Sequence, residues 1–407
     1  MDNINFGEGG SASCVLAPPF NYNTNYDDNY ISKISNISND SILETIKREL
    51  IISKYLSNFP QYNKYFLLVD SYKILENDSE AINVLNYRNC NLNEENKYII
   101  TYSKNGSCKP LKKGDIVINK SSSTSSNDVT TNIYSFEGMI HNTYILRSLN
   151  NNLVIHSDKI KRFCGDMGNI YTILYCFGDK IKRRKNIKQL INSIKYLIKY
   201  NVIHCDIKLK NIVCTQDGIF KIIDFGGAFI LDNNKYFEFD KLCNNLQSID
   251  ESTLNSEVLQ HTDDFIHNLL LYISIHTEYY TPPEILILKL YLLGYNKKKI
   301  VKYIVKVYNI DDRTLKNKIE KLTQYILDNR KTLIDSVYCK TNKKKSFIYK
   351  FDVFSLGIVI REIIQILYQN FNINVEDDLI NLSEQMTDLN YMERLNIDDV
   401  LKNEYFN

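Results

Sequence analysis

His204-Cys205-Asp206-Ile207-Lys208-Leu209-Lys210-Asn211 is followed, thirteen residues after the asparagine, by Asp224-Phe225-Gly226. A match to the four fixed positions of H-x-D-x-K-x-x-N arises by chance at roughly 1 in 10⁵ starts at ordinary residue usage. The surroundings fit it. Upstream, Ile187, Leu190, Ile191, Ile194, Leu197 and Ile198 recur at helical spacing and predict an amphipathic helix. Downstream, 212–214 and 220–223 read as short strands joined by a turn at Asp217-Gly218.

These residue types suit phosphoryl transfer. The migrating group carries dispersed negative charge, so a protein must position reactants and supply cations more than do covalent chemistry. Asp206 is placed to orient an attacking hydroxyl and accept its proton. A free Asp has a pKa of roughly 3.9 and is a weak base, so its position matters more than its basicity. Lys208 can reach the migrating phosphate, and Asn211 and Asp224 offer oxygen ligands suited to Mg²⁺. The plain alternative is that Asp206 and Asn211 cap a turn and Asp224 ends a strand.

On these motifs the chain resembles a eukaryotic-type Ser/Thr protein kinase, and in particular the divergent kinases of large DNA viruses. The resemblance implies Asp206 as catalytic aspartate, Lys208 as the phosphate lysine of the Ser/Thr type, and Asn211 and Asp224 as metal ligands, with ATP and Mg²⁺ as cofactors. Three further stretches extend it. Thr277-Glu278-Tyr279-Tyr280-Thr281-Pro282-Pro283-Glu284 resembles the close of an activation segment, with Glu284 in the A-P-E position. Asp352-Val353-Phe354-Ser355-Leu356-Gly357 resembles the start of a central buried helix, with Phe for the usual Trp; 352–367 is apolar nearly all round. Arg394 resembles the late arginine that pairs with that glutamate. The implied fold is α+β and bilobal: a strand-rich N-lobe over 1–178 and a mainly helical C-lobe over 179–407 with a helical insertion.

The N-terminal half matches less closely. Gly7, Gly9 and Gly10 with Val15 resemble a glycine-rich loop, whose backbone N–H groups can approach phosphates closely. The third glycine of that pattern is replaced by Ala12 or Ser13. Lys33, in the strand-like run 30–34, fits the lysine that holds the α- and β-phosphates; the alternative is an exposed strand lysine. Its partner belongs on the helix expected over 41–56. Glu49 lies on the mostly apolar stripe of Ile42, Ile46, Ser53 and Leu56, so it is preferred to Glu44, which sits beside Lys47 and Arg48. Residues 65–74 read as a strand. Residues 170–177 read as another, ending at Gly178, with 175–178 as the hinge that meets adenine. Between 76 and 165 the signal is loop-rich, with strand-like pieces at 98–102, 115–118 and 153–156 and a low-complexity run at 121–127.

Two departures carry expectations. Cys205 stands where many kinases have the arginine that reads an activation-loop phosphate, so gating by that route is not expected. Residues 286–348 form an insertion with two helical stripes, Ile300/Ile304/Val307 and Leu315/Ile319/Leu322/Ile326, and lysine runs at 297–299 and 343–345. It is either a docking arm for an acidic protein partner or a solvated basic face.

Bulk composition bounds the rest. The 407 residues carry 50 basic and 48 acidic side chains, a net charge of +2, which gives no prior for a nucleic-acid or membrane partner. Nine cysteines without CxxC pairs or Cys/His clusters suggest reduced thiols, no zinc site, and an intracellular, cytoplasmic location (host cytoplasm or virion if the chain is viral). His141, His156, His261, His267 and His276 show no ligand spacing, and His204 is expected to support the backbone of its loop. The partners expected are ATP and a protein substrate. A kinase-fold scaffold that holds nucleotide with little turnover is the competing reading.

Overall fold

The computed structural model describes residues 4–5, 14–17, 19–26, 30–38, 40–75, 78–87, 90, 92–93, 95–104, 116–121, 130–140, 143–148, 154–156, 170–214, 219–231, 279–337 and 346–406. Gly7, Gly9, Gly10, Thr277, the Asp217-Gly218 turn, most of the 121–127 run and the lysines at 343–345 lie outside them.

Five antiparallel strands form the first sheet: β1 (Ile4–Asn5), β2 (Cys14–Ala17), β3 (Tyr30–Asn36), β4 (Val69–Leu75) and β5 (Tyr98–Lys104), in the order β1-β2-β3-β5-β4. In this register Lys33 on β3 stands opposite Val15 on β2 and Thr101 on β5. Residues directly across a ladder share a face, so Val15 and Lys33 lie on one side of the sheet. Helix α1 (Asp40–Ser57) follows β3 and is tied to β4 where the Val69 N–H donates to Ser53 Oγ at 3.2 Å. A shorter helix, α2 (Ser79–Tyr87), separates β4 from β5. A second antiparallel sheet comprises β6 (Ile116–Ser121), β7 (Thr130–Ile140), β8 (Thr143–Ser148) and β9 (Val154–His156) in sequential order.

Among the described residues from 170 onward helices predominate: α3 (Ile170–Phe177) and α4 (Lys180–Lys199), then a run of short strands, then further helices. The strands are β10 (Val202–Ile203), β11 (Ile212–Cys214), β12 (Phe220–Ile222) and β13 (Phe229–Ile230), pairing β10 with β13 and β11 with β12. The later helices are α5 (Pro283–Leu292), α6 (Lys297–Val307), α7 (Arg313–Asp328), α8 (Arg330–Val337), α9 (Phe351–Phe371), α10 (Asp377–Met386) and α11 (Ile397–Leu401). The all-round apolar character of α9 is matched by its burial from Phe351 to Ile360. Its Gly357 is needed: a Cβ there would sit 2.7 Å from the Thr387 methyl and 2.8 Å from Met386 Cβ, so α10 could not lie this close.

Three expectations change. Residues 170–177 are a helix, not a hinge strand. IYTILYCF is short and apolar but for Thr172, and periodicity alone cannot separate a buried strand from a buried helix turn; contact with α4 and α9 decides it, burying Ile173, Cys176 and Phe177. Residues 65–74 begin as a single bridge at Phe66 and become a strand only at Val69. Cys14 and Cys90 form a disulfide with Cα atoms 5.3 Å apart, so this pair is not two free thiols. Spacing could not reveal it, because 76 residues separate the two. Cys176, Cys205 and Cys214 are buried and form no disulfide among the described residues.

One core spans both halves of the chain. Ile52, Leu56 and Phe66 pack in the same cluster as Leu190, Ile194 and Phe225 and the inner face of α9. Backbone bonds reinforce the join: the Leu67 N–H donates to Ile222 O at 3.2 Å and the Ile222 N–H to Tyr65 O at 2.9 Å. The strand leading into Asp224 is thereby fixed to the segment between α1 and β4. Among the described residues no helix is long and apolar enough to cross a membrane.

Candidate active site

The loop from His204 to Asn211 is held from below by the first turn of α9. Asp352, fully buried, accepts from the His204 N–H at 2.7 Å and from the Cys205 N–H at 3.0 Å. Burial pushes its carboxyl up to about 7, against the downward pull of those two donors. This clasp lets Cys205 hold φ 62°, a left-handed conformation unusual for a residue with a Cβ. In the sequence Asp352 reads only as a helix start; its signal is an isolated acid opening an otherwise apolar helix.

His204 does the supporting work expected of it. Its Nδ1 accepts from the Asp206 N–H at 3.3 Å, which assigns the proton to Nε2, facing Ile223 O at 3.1 Å. Burial lowers its pKa, outweighing the attraction of Asp206 and Asp224, so the ring is neutral. The Ile223 N–H in turn donates to Asn211 O at 3.0 Å. One residue before Asp224, the backbone is thus bonded to both ends of the 204–211 loop.

Asp206 is held unsymmetrically. Its Oδ2 accepts from Lys208 Nζ at 2.7 Å and from Asn211 Nδ2 at 2.8 Å, while its Oδ1 is buried without a hydrogen-bond partner among the described residues. Asn211 also donates to Asp206 O at 2.9 Å. With its amide nitrogen spent on Asp206, Asn211 leaves its side-chain oxygen for another partner. Asp224 adopts φ 65° at the head of the 225–227 turn, and its carboxylate makes no hydrogen bond or ion pair among the described residues. Phe225 beside it is buried edge-on against Phe66 (5.5 Å between centroids) and His204 (4.8 Å). Gly226 passes so close to α1 that a Cβ would lie 2.4 Å from the Thr45 methyl.

Lys33 meets Glu49 and not Glu44: Nζ lies 3.4 Å from Glu49 Oε2, while Glu44 pairs with Lys47 at 3.1 Å. Burial pulls the Lys33 ammonium down, yet Glu49 and Asp224 more than compensate and leave its pKa raised. Burial, aided by Asp224, pushes the Glu49 carboxyl up against the pull of Lys33. Asp224 therefore acts on Lys33 and Glu49 on one side and on His204 on the other, between the sheet and the 204–211 loop. Val15 shares the sheet face of Lys33.

A divalent cation fits this donor set. The Asp224 carboxylate makes no hydrogen bond or ion pair among the described residues, and the Asn211 side-chain oxygen is left over once its amide nitrogen is spent on Asp206. No three His, Cys, Asp or Glu side chains gather into a cage among the described residues. Mg²⁺ needs none, since it is commonly held by one or two carboxylates with phosphates and waters filling its octahedron.

Arg394 and Glu284 form a two-pronged pair, Nη1 to Oε1 at 2.7 Å and Nη2 to Oε2 at 3.0 Å, both side chains buried. The guanidinium lies 4.7 Å over the ring of Phe354, the residue in place of Trp. The pair fixes the 279–284 segment, which is also held by Ser355 Oγ donating to Tyr280 O at 2.7 Å and by Tyr308 OH donating to Thr281 O. Arg48, also unforeseen, donates from α1 to Gly226 O at 3.2 Å and covers the Phe229 ring at 4.6 Å.

The model of the protein kinase domain matches residues 101–406, three quarters of the chain, and the chain belongs to that family. The match includes Asp206, Lys208, Asn211, Asp224, Glu284 and Arg394 and begins beyond Lys33 and Glu49. The chain is similar to the serine/threonine-protein kinase HAL4/SAT4 of Saccharomyces cerevisiae, 28% identical over 105 residues, 24% of this chain and 17% of that protein. It is similar to the serine/threonine-protein kinase PRR2 of the same yeast, 51% identical over 43 residues, 11% of this chain and 6% of that protein. It is also similar to the PAS domain-containing serine/threonine-protein kinase of Mus musculus, 44% identical over 50 residues, 12% of this chain and 4% of that protein. The chain spans under a fifth of the length of each.

Proposed function

We propose that the chain is a protein serine/threonine kinase, transferring the γ-phosphate of ATP to a hydroxyl of a protein substrate. The observation that carries this is the single unpartnered oxygen of Asp206, presented by a carboxylate whose other oxygen is fixed by Lys208 and Asn211. A carboxylate held so can orient one hydroxyl and take its proton as the bond to phosphorus forms. Lys208, at that carboxylate, sets a positive charge where negative charge gathers on the migrating group. Asn211 and Asp224 would hold Mg²⁺, which supplies further positive charge to the phosphates. We assign Lys33, aligned by Glu49, to the α- and β-phosphates, and Gly7, Gly9, Gly10 and Val15 to the roof over the nucleotide.

The same proposal takes 1–178 as the strand-rich lobe and 179–407 as the helical one, with α3 packing on the helical side. It includes an enzyme not gated through an arginine at position 205. Kinship with the kinases of large DNA viruses and a cytoplasmic site of action also belong to it; the relatives named above come from yeast and mouse and bear on neither, and the Cys14–Cys90 disulfide weighs against the second.

Transfer of labelled phosphate from ATP to a generic basic protein tests the reading. Asp206→Asn should lower kcat by about 10²- to 10⁴-fold, the usual contribution of a positioned base. Equal incorporation by both proteins would overturn it.

A further inference from the structure

Helix α6, KKKIVKYIVKV, carries five lysines and no acid. Ile300 and Ile304 are buried, while Lys297, Lys298, Lys299, Lys302 and Lys306 are exposed and form no ion pair among the described residues. In a protein of net charge +2 this is a concentrated local field.

The placement also opposes helix physics. The N-terminal end of a helix carries the positive end of the macrodipole and favours acids, yet Lys297, Lys298 and Lys299 fill the first turn. A local rule broken without compensation inside the fold is the kind of site where function is expected. Immediately before these lysines, Tyr291, Leu293 and Tyr295 are exposed at 38%, 47% and 43%, and Arg330 lies 5.2 Å over the Tyr291 ring. Basic and apolar groups side by side suit a peptide with both acidic and apolar residues, whereas a hydrated cation field alone would need no apolar neighbour.

The far end of the helix reaches the 279–284 segment, which the family resemblance makes the close of the activation segment and, on the kinase reading, the ground on which a protein substrate rests. Tyr308, its C-cap, donates to Thr281 O, and its ring lies 6.5 Å from that of Tyr279. Eleven residues at 1.5 Å each set the lysine cluster about 16 Å from that contact. An extended chain covers this distance in roughly five residues.

We infer that α6, with the exposed 291–295 turn, docks an acidic segment of the protein substrate, a handful of residues or more from the acceptor hydroxyl. This rests on the kinase reading and names the substrate class for it. Four peptides test it, each with one serine and, eight residues away, a block of six glutamates or six glutamines around one leucine, with the block on one side of the serine or the other. For the wild type, one orientation of the glutamate peptide should show a KM about ten-fold below its glutamine counterpart, as several exposed ion pairs acting together would give. Added salt should erase the difference. In K297E/K298E/K299E the ratio should fall to about one or invert. That variant places acids where the macrodipole favours them, so its thermal midpoint should be at or above that of the wild type.

Equal KM values in the wild type, or a glutamate preference that survives the triple substitution, would overturn the docking site. So would a single-stranded (dT)20 oligonucleotide that binds the lysine-dependent surface more tightly than the glutamate peptide. Anisotropy of the labelled peptides separates docking from turnover. Glutamate-selective, lysine-dependent binding without phosphorylation would sustain the docking site and sink the kinase reading. Phosphorylation without glutamate selectivity would do the reverse.

Discussion

Glu284 and Glu49 each meet a cation, and the two contacts are built differently. Glu284 and Arg394 close a two-pronged pair at 2.7 and 3.0 Å, with both side chains essentially sealed from water. Lys33 touches one oxygen of Glu49 at 3.4 Å, and its side chain retains 21% exposure. The first geometry engages both carboxylate oxygens, with Arg394 Nε also donating to Asp388 O at 2.9 Å, in a place closed to solvent and so to a ligand. The second leaves ammonium protons unspent, beside Asp224, on the face shared with Val15. A sealed pair holds the 279–284 segment; an open one leaves its lysine able to meet phosphates, as the proposed function requires.

The largest effect should come from breaking the sealed pair. Glu284→Gln or Arg394→Met leaves one buried partner uncompensated and should cost ~3–5 kcal/mol of stability in urea unfolding. A loss under ~1 kcal/mol would remove the distinction drawn here. Lys33→Met should behave oppositely, with a stability change on the order of 1 kcal/mol and a fall in kcat/KM for ATP on the order of 10²-fold. Equal kinetics would return Lys33 to an ordinary strand lysine.

Asp352 sharpens the contrast, being a buried carboxyl with no cation partner among the described residues, held by two backbone N–H groups. Its folded pKa of about 7 lies above the unfolded value near 3.8. The native state therefore binds the extra proton between these values. The stability this contributes is complete below the unfolded pKa and is lost as pH rises through about 7. The stability of the wild type relative to Asp352→Asn should decline from about pH 5 to pH 8, measured by urea unfolding at each pH. A flat difference would mean that Asp352 is ionised throughout.

The contrast also explains what could be read from the chain. Asp206, Lys208, Asn211 and Asp224 were legible because their spacing is short and set by local backbone: the 204–211 loop and the β11–β12 hairpin need those residue types at those offsets. The choice of Glu49 over Glu44 was legible because one face of α1 is buried and helical periodicity orders its positions. Residues 170–177 were not, since an apolar octet satisfies helix and strand alike until its neighbours are known. The Cys14–Cys90 link and the clasp of Asp352 on the 204–205 backbone join residues 76 and about 150 positions apart, beyond the reach of any local pattern. Arg48, reaching Gly226 O from α1, is hidden in the same way.

The proposition beneath all of this is that Asp224, Asn211 and Lys33 face one nucleotide. Affinity for a fluorescent ATP analogue, with Mg²⁺ and with EDTA, in wild type and Asp224→Asn, tests it most directly. Tighter binding with Mg²⁺ in the wild type, and loss of that gain in the variant, is the predicted result. An unchanged Mg²⁺ dependence in Asp224→Asn would contradict it.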